Sequence, residues 1–357
     1  MKRTFITILL ALTIGLVALT ASSRNAQTTG NSRQFNSIGR KISLAYVESA
    51  RSAIPDPHLF SHLVYAFCEF NDDNDGVIVS NPDKLHKMSQ LKNQNPDLKI
   101  ILGIGGYKKE GFSEMTADKK KRKAFVNQCK AIINDYNLDG IDLDWEFPGT
   151  TAGGHTAAPD DAKNYGTLVK DLRKALGKDK WISFYSNNSA AFIDFKRMLP
   201  YVDYVNVSGY NLSVPKEGKP LYHQSTLFPS KTCGDWSVSK SIARHIAYGV
   251  PPHKILLGMP FFGRGIEPCG NYFEMKSVDR YKDSCELIWD DTAKVPYFRG
   301  ADGNLKAGFD NETSLKIKSD FIRSNGLAGG FIWNYDSDYP DHRLAKTLKQ
   351  YLLQNYD

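Results

Sequence analysis

Histidine and cysteine are scarce in this sequence, eight and five among 357 residues, and neither occurs between Leu138 and Pro148. Hydrolytic metal sites usually recruit histidine, so the acids of that stretch are not read as a metal centre. Five cysteines cannot all pair within one chain. Cys269 and Cys285 are close enough in sequence to bridge in an oxidising compartment, Cys129 sits in a helical pattern as a small core residue, and disulfides are not what holds the fold. No cysteine precedes Cys68, which argues against a lipid anchor near the N-terminus. Long apolar runs are also missing, except from Phe5 to Leu19. That run follows Lys2 and Arg3 and precedes Ala21-Ser22-Ser23, so residues 1–23 read as a secretory signal peptide and 24–40 as a flexible leader. The expected location is secreted or periplasmic, with no membrane span in the mature chain. The net charge of +7 resides largely in the signal and in Lys119-Lys120-Lys121-Arg122-Lys123. Without interleaved aromatics that run is a solvated helix face, and no nucleic-acid partner is expected.

What is present is a strict alternation. From Ile141 to Glu146 apolar and acidic residues take turns, so an extended strand puts Asp142, Asp144 and Glu146 on one face and Ile141, Leu143 and Trp145 on the other. Three acids on one face must meet water or line a polar cavity. In a cavity they cannot all ionise, and at least one carboxyl pKa rises. A solvated edge strand would show the same alternation. A calcium loop fits less well, because Phe147 stands where the tight turn needs glycine.

Eight strand readings recur with helices or helix-sized gaps between them: Lys41 to Val47, Leu63 to Phe70, Lys99 to Gly106, the acidic stretch, Trp181 to Ser186, Tyr204 to Tyr210, Ile255 to Phe261 and Ala328 to Trp333. The helices expected between them include Asp56 to Ser61, Pro82 to Gln94, Ala117 to Tyr136, Phe192 to Leu199 and Arg343 to Gln354. This order predicts an α/β fold, a (β/α)8 TIM barrel over residues 41–357, at 41% hydrophobic residues one large domain. The gap after strand 7 is too long for an ordinary loop and predicts a small inserted α+β subdomain, residues 267–309, before helix 7. In such barrels the site lies at the C-terminal strand ends, here Tyr46, Phe67, Tyr107, Glu146, Tyr210, Arg264 and Trp333. Flat aromatic rims suit the apolar faces of sugar rings.

Asp139-Gly140-Ile141-Asp142-Leu143-Asp144-Trp145-Glu146 resembles the Asp-Gly-x-Asp-x-Asp-Trp-Glu signature of glycoside hydrolase family 18, the chitinases and their relatives. Gly258-Met259-Pro260-Phe261-Phe262-Gly263-Arg264 and Gly329-Gly330-Phe331-Ile332-Trp333 are similar to two further motifs of the family, and Tyr297 and Asn311 to Lys316 resemble its insertion. Two motifs depart. The strand 3 Ser-x-Gly-Gly reads Gly103-Ile104-Gly105-Gly106, losing a hydroxyl expected on the first acid of the triad. The strand 6 Met-x-Tyr-Asp reads Ser208-Gly209-Tyr210-Asn211, losing a carboxylate.

The resemblance implies a chitinase-like glycosidase that needs no cofactor and no metal, acting as a monomer on chitin or oligosaccharides containing N-acetylglucosamine. In this family the substrate's 2-acetamido oxygen is the nucleophile, an exception among retaining glycosidases. The implied catalytic residues are Glu146 as acid and base, Asp144 accepting the acetamido N–H and stabilising the oxazolinium, Asp142 exchanging a proton with Asp144, and Tyr210 on the acetamido oxygen. Tyr46, Phe67, Tyr107, Asn211, Arg264 and Trp333 would bind substrate. The resemblance also implies cis peptides at Ala66-Phe67, Glu146-Phe147 and Trp333-Asn334. Two alternatives stay open: an endo-β-N-acetylglucosaminidase acting on N-glycan cores, and a lectin-like protein without catalysis.

Overall fold

The computed structural model describes residues 40–234 and 236–354, so the expected signal peptide and almost all of the leader lie outside the described residues. Eight parallel strands close into a barrel: β1 Ile42–Glu48, β2 His62–Phe70, β3 Lys99–Gly105, β4 Gly140–Asp144, β5 Trp181–Ser186, β6 Tyr204–Val207, β7 Ile255–Pro260 and β8 Gly329–Trp333. Closure is made by β1, which pairs with β8 on one side and β2 on the other. Alternation along the strands divides the core in two. Tyr46, Val64, Ile101, Trp181, Tyr185, Leu256 and Phe331 fill the barrel, while Ala45, Leu63, Leu102, Ile141, Leu143 and Phe184 face the surrounding helices. Trp145 belongs to the outer layer, where its ring lies flat on Phe112 at 5.1 Å.

Several helices differ from expectation for local reasons. No helix follows β1; the Asp56 carboxylate accepts from His58 N and closes a turn instead. The helix expected from Ala117 to Tyr136 is Lys119–Asp135, and a further short helix that was not expected, Phe112–Ala117, precedes it. Asp118 caps Lys119–Asp135, accepting from Lys120 N and Lys121 N, and a residue so used takes an extended backbone that the short helix cannot run through. The segment after β5 keeps only one turn, Phe195–Met198. The last helix is Arg343–Leu348, which widens into a π-turn over Lys349–Leu353.

Between β7 and the helix Glu312–Ser324 the chain makes a five-stranded antiparallel sheet, built from Phe262–Gly265, Phe273–Glu274, Glu286–Asp290, Val295–Arg299 and Leu305–Gly308. The helical part of this insertion is a single 3-10 helix, Met275–Tyr281, and the sheet begins at Phe262, ahead of the expected residue 267. Phe262–Gly265 leaves β7 almost without a break, which carries the barrel wall upward beside the strand ends. Cys269 and Cys285 are buried thiols with sulfurs 3.9 Å apart in this insertion. Among the described residues no helix is long and apolar enough to cross a membrane.

Candidate active site

Register explains why the acids converge. Asp142 on β4 stands level with Gly103 on β3 and with Ser183 on β5, inside the barrel. It is fully buried and takes three donors: Tyr46 Oη at 2.7 Å on Oδ2, then Ser183 Oγ at 2.5 Å and Asn206 Nδ2 at 2.9 Å on Oδ1. Asn206 Nδ2 also donates to Tyr46 Oη at 2.9 Å, and Trp181 Nε1 holds the Ser183 hydroxyl at 2.7 Å. Burial raises the Asp142 pKa to about 6 against the pull of its three donors, because dehydrating a carboxylate outweighs the hydrogen bonds that favour it.

Two residues along, Asp144 is the next inward side chain. Burial, then Glu146, then Asp142 push its carboxyl well above the usual range, and its Oδ1 is buried without a hydrogen-bond partner among the described residues. Glu146 stands two residues past Asp144, just beyond the end of the strand, and is partly exposed. Burial among its neighbours raises it to about 7. Together Asp144 and Glu146 hold a proton near neutrality, which is the state a general acid requires.

The expected aromatic rim is assembled over this row. Tyr46, Phe67 and Trp333 form a triangle with ring centroids 5.7 to 5.8 Å apart, Phe67 and Trp333 nearly parallel. The peptides Ala66-Phe67, Glu146-Phe147 and Trp333-Asn334 are all cis, as the motif resemblance implied. Tyr210 is buried edge-on to Phe262 and Phe331. Tyr107 stands 59% exposed on the rim. Asn211 and Arg264 form a separate contact: Arg264 Nε donates to Asn211 Oδ1 at 3.0 Å, and its guanidinium lies over the rings of Phe262 and Tyr272.

Four residues here were not singled out in the sequence. Ser183 and Asn206 serve Asp142, as described. Tyr185 is the next inward residue of β5 above Ser183, buried, with its ring against Phe147 at 6.2 Å. His155 Nε2 lies 2.8 Å from the Glu146 carbonyl oxygen, in a loop where a Cβ on Gly153 would fall 1.8 Å from the same oxygen. The alternation Trp181, Ser183, Tyr185 was visible, but only the register of β4 on β5 says which acid each one meets.

A parallel (β/α)8 barrel with proton-holding carboxyls and stacked aromatics at the C-terminal strand ends defines a hydrolase of the glycosidase class. The sequence profile described as "Glycosyl hydrolases family 18" matches residues 34–338, and the chain belongs to that family. It is 29% identical over 310 residues to Chitinase A1 of Niallia circulans, covering 75% of this chain and 44% of that protein. Chitotriosidase-1 of Mus musculus is 27% identical over 347 residues, 83% of this chain and 73% of that one. Among solved structures, a family 18 N-acetylglucosaminidase from Paenibacillus barengoltzii superposes with a TM-score of 0.79 at 26% identity, over 87% of this chain and all of that one.

Proposed function

We propose that this chain hydrolyses β-1,4-linked N-acetylglucosamine polymers, chitin or chito-oligosaccharides, with retention and with the substrate's own acetamido oxygen as nucleophile. The observation that carries this is the placement of the acids. Asp142, Asp144 and Glu146 rise in one line from a single strand, so no member of the row stands on the opposite face of a sugar lying over Trp333.

Glu146 gives its proton to the glycosidic oxygen as the bond from C1 to that oxygen breaks and the acetamido oxygen bonds to C1. Asp144, with its vacant buried Oδ1, accepts the amide N–H and offsets the positive charge that develops on the oxazolinium. Asp142 exchanges a proton with Asp144, and Tyr210 holds the acetamido oxygen. Glu146, now a carboxylate, takes a proton from water as the water oxygen attacks C1, which opens the ring and restores the acid. Phe67, Tyr46 and Trp333 support the distorted ring, while Tyr107, Asn211 and Arg264 contact sugars further along the cleft.

The names of the curated relatives, Chitinase A1 and Chitotriosidase-1, support chitin as the substrate class. Export to the cell exterior or periplasm and action as a monomer are part of the same proposal. The test is product analysis on N-acetylated chitin oligomers beside a high-mannose glycoprotein, with the anomer followed by proton NMR. Oligomer cleavage giving the β-anomer first is the expected result. Release of the glycan alone would move the assignment to N-glycan cores, and binding without any cleavage would make the chain lectin-like.

A further inference from the structure

The carbonyl oxygen of Glu146 is held by the loop that follows β4. His155 in that loop is 5% exposed, with Nε2 at 2.8 Å from the Glu146 oxygen and Nδ1 at 2.7 Å from the Thr156 carbonyl oxygen. Gly153 closes on the same spot: a Cβ there would fall 1.8 Å from the Glu146 oxygen and 2.9 Å from His155 Cδ2. The loop is itself tied down. Asp161 Oδ2 accepts from Gly149 N at 3.0 Å and from Ala158 N at 2.8 Å, which fixes both ends, and Ser113 Oγ holds its Oδ1 at 2.8 Å. Thr156 N donates to Glu110 Oε2 at 3.0 Å, and its hydroxyl donates to Glu114 Oε1 at 2.5 Å.

Both partners of the ring are carbonyl oxygens, which only accept, whereas a neutral imidazole has a single N–H. Only the doubly protonated ring donates to both. In either neutral tautomer one nitrogen turns its lone pair on a carbonyl oxygen at 2.7 or 2.8 Å. The two nitrogens belong to one rigid, buried ring, and Thr156 is pinned through its N–H and hydroxyl, so the repulsion cannot be relieved at one contact while the other stays. The charged groups that meet the loop are Glu110, Glu114 in the helix Phe112–Ala117, Asp161 at the start of the helix Asp161–Leu176, Glu146 itself, and Lys108, whose Cγ would lie 3.7 Å from a Cβ on Gly154. A positive ring therefore meets mostly opposite charge.

The Glu146 carbonyl and the Glu146 side chain leave the same Cα, so holding the one aims the other, and small misplacements of an acid are expensive in rate. We propose that His155, protonated on both ring nitrogens, is a positioning residue for the acid, and that its hold on the Glu146 backbone is released when the ring gives up one proton. Hydrolysis then falls at alkaline pH for two separate reasons: Glu146 ionises, and its support is lost. This rests on the proposed reading of Glu146 as the general acid.

The test uses the full chain and a fluorogenic N-acetylated chitobioside, with kcat and KM measured from pH 5 to 9 for the wild type, His155→Gln and His155→Leu. Glutamine places an N–H donor where Nε2 stands and does not titrate, while leucine supplies none; circular dichroism confirms that each is folded. At pH 5.5, kcat of His155→Gln is expected within about threefold of the wild type and that of His155→Leu about tenfold or more below it, with KM little changed. Toward pH 9 the wild type is expected to lose about a further tenfold relative to His155→Gln, because Glu146 titrates in both and cancels from the comparison. A residue that only fills space would lower both variants by a constant factor at every pH. Nitrogen NMR of the wild-type imidazole needs no variant: it should show both nitrogens protonated at pH 5.5, and the second proton lost where the kcat ratio changes. A ratio of wild type to His155→Gln independent of pH, or a ring with one proton throughout, overturns the role of His155 and leaves the functional reading intact. A wild type inactive at every pH overturns both.

Discussion

The Ser183 hydroxyl donates to Asp142 Oδ1 at 2.5 Å from β5, whereas the motif that would supply a hydroxyl to this acid lies on β3 and has glycine at that position. Gly103 stands level with Asp142, yet a Cβ there would meet the Tyr65 carbonyl oxygen at 2.6 Å and Val64 Cγ1 at 2.8 Å. The barrel wall has closed on that position, and the hydrogen bond has moved to the neighbouring strand. The sequence departure is thus compensated in space.

Restoring the family residue should therefore harm the protein. Gly103→Ser forces β2 and β3 apart at a backbone atom, which cannot rotate away as a side-chain tip would. The expected cost is about 1–3 kcal/mol, the usual range for overpacking, with no gain in rate. Urea denaturation monitored by tryptophan fluorescence measures it; an unchanged midpoint would show that β2 yields freely.

Ser183→Ala removes the donor that does the compensating. Asp142 keeps Tyr46 and Asn206, but Trp181 Nε1 loses its buried acceptor, so a loss of about 1–3 kcal/mol in stability is expected. Because the lost bond favoured the carboxylate, the Asp142 pKa should move upward from about 6. Carboxyl carbon NMR across pH 4 to 9 reads the shift directly, and a downward movement would contradict the assignment of Ser183 as donor.

Glu146→Gln should leave the fold intact and reduce hydrolysis of N-acetylated chitin oligomers by about 10^3-fold or more, since the amide fills the space but cannot give up a proton to the leaving oxygen. Fully deacetylated oligomers should survive even the wild type, because they lack the nucleophile. Residual activity above a tenth in the variant would remove Glu146 from the role of acid.

The barrel, the acidic row and the aromatic triangle were legible because each rests on periodicity or on a motif of contiguous residues. Alternation from Ile141 to Glu146 fixes a face whatever the neighbours are, and the eight strand readings agree with β1 to β8 to within a few residues. Ser183, Asn206 and Tyr185 were not legible as site residues, since each acquires its partner across a strand pair whose register is a property of the closed barrel. The helices were misjudged where a capping side chain decided the matter. Asp118 separates an unexpected short helix, Phe112–Ala117, from the expected one by accepting two backbone N–H groups, and Asp56 closes a turn where a helix was expected. The insertion's strands are only two to five residues long, such as Leu305–Gly308, too short to carry a pattern of their own.

The raised carboxyls make a last prediction, on stability against pH. Glu146 titrates at about 7 in the folded protein and Asp142 at about 6, against 4.5 and 3.8 for the free side chains. The folded state therefore binds these protons more tightly than the unfolded chain does. The stabilisation that follows is fully present below the unfolded values, near pH 4, and is lost as pH rises through the folded values, between about 4.5 and 7. Glu146→Gln cannot titrate, so it escapes its share of that loss, on the order of 3 kcal/mol. The unfolding midpoint of the variant should consequently gain on the wild type from pH 4.5 to 7.5 and run parallel to it above that. Thermal scans at half-unit pH steps would show the gap opening. A gap independent of pH would mean that Glu146 is ionised in the resting enzyme and that the proton for the leaving group is held elsewhere in the row.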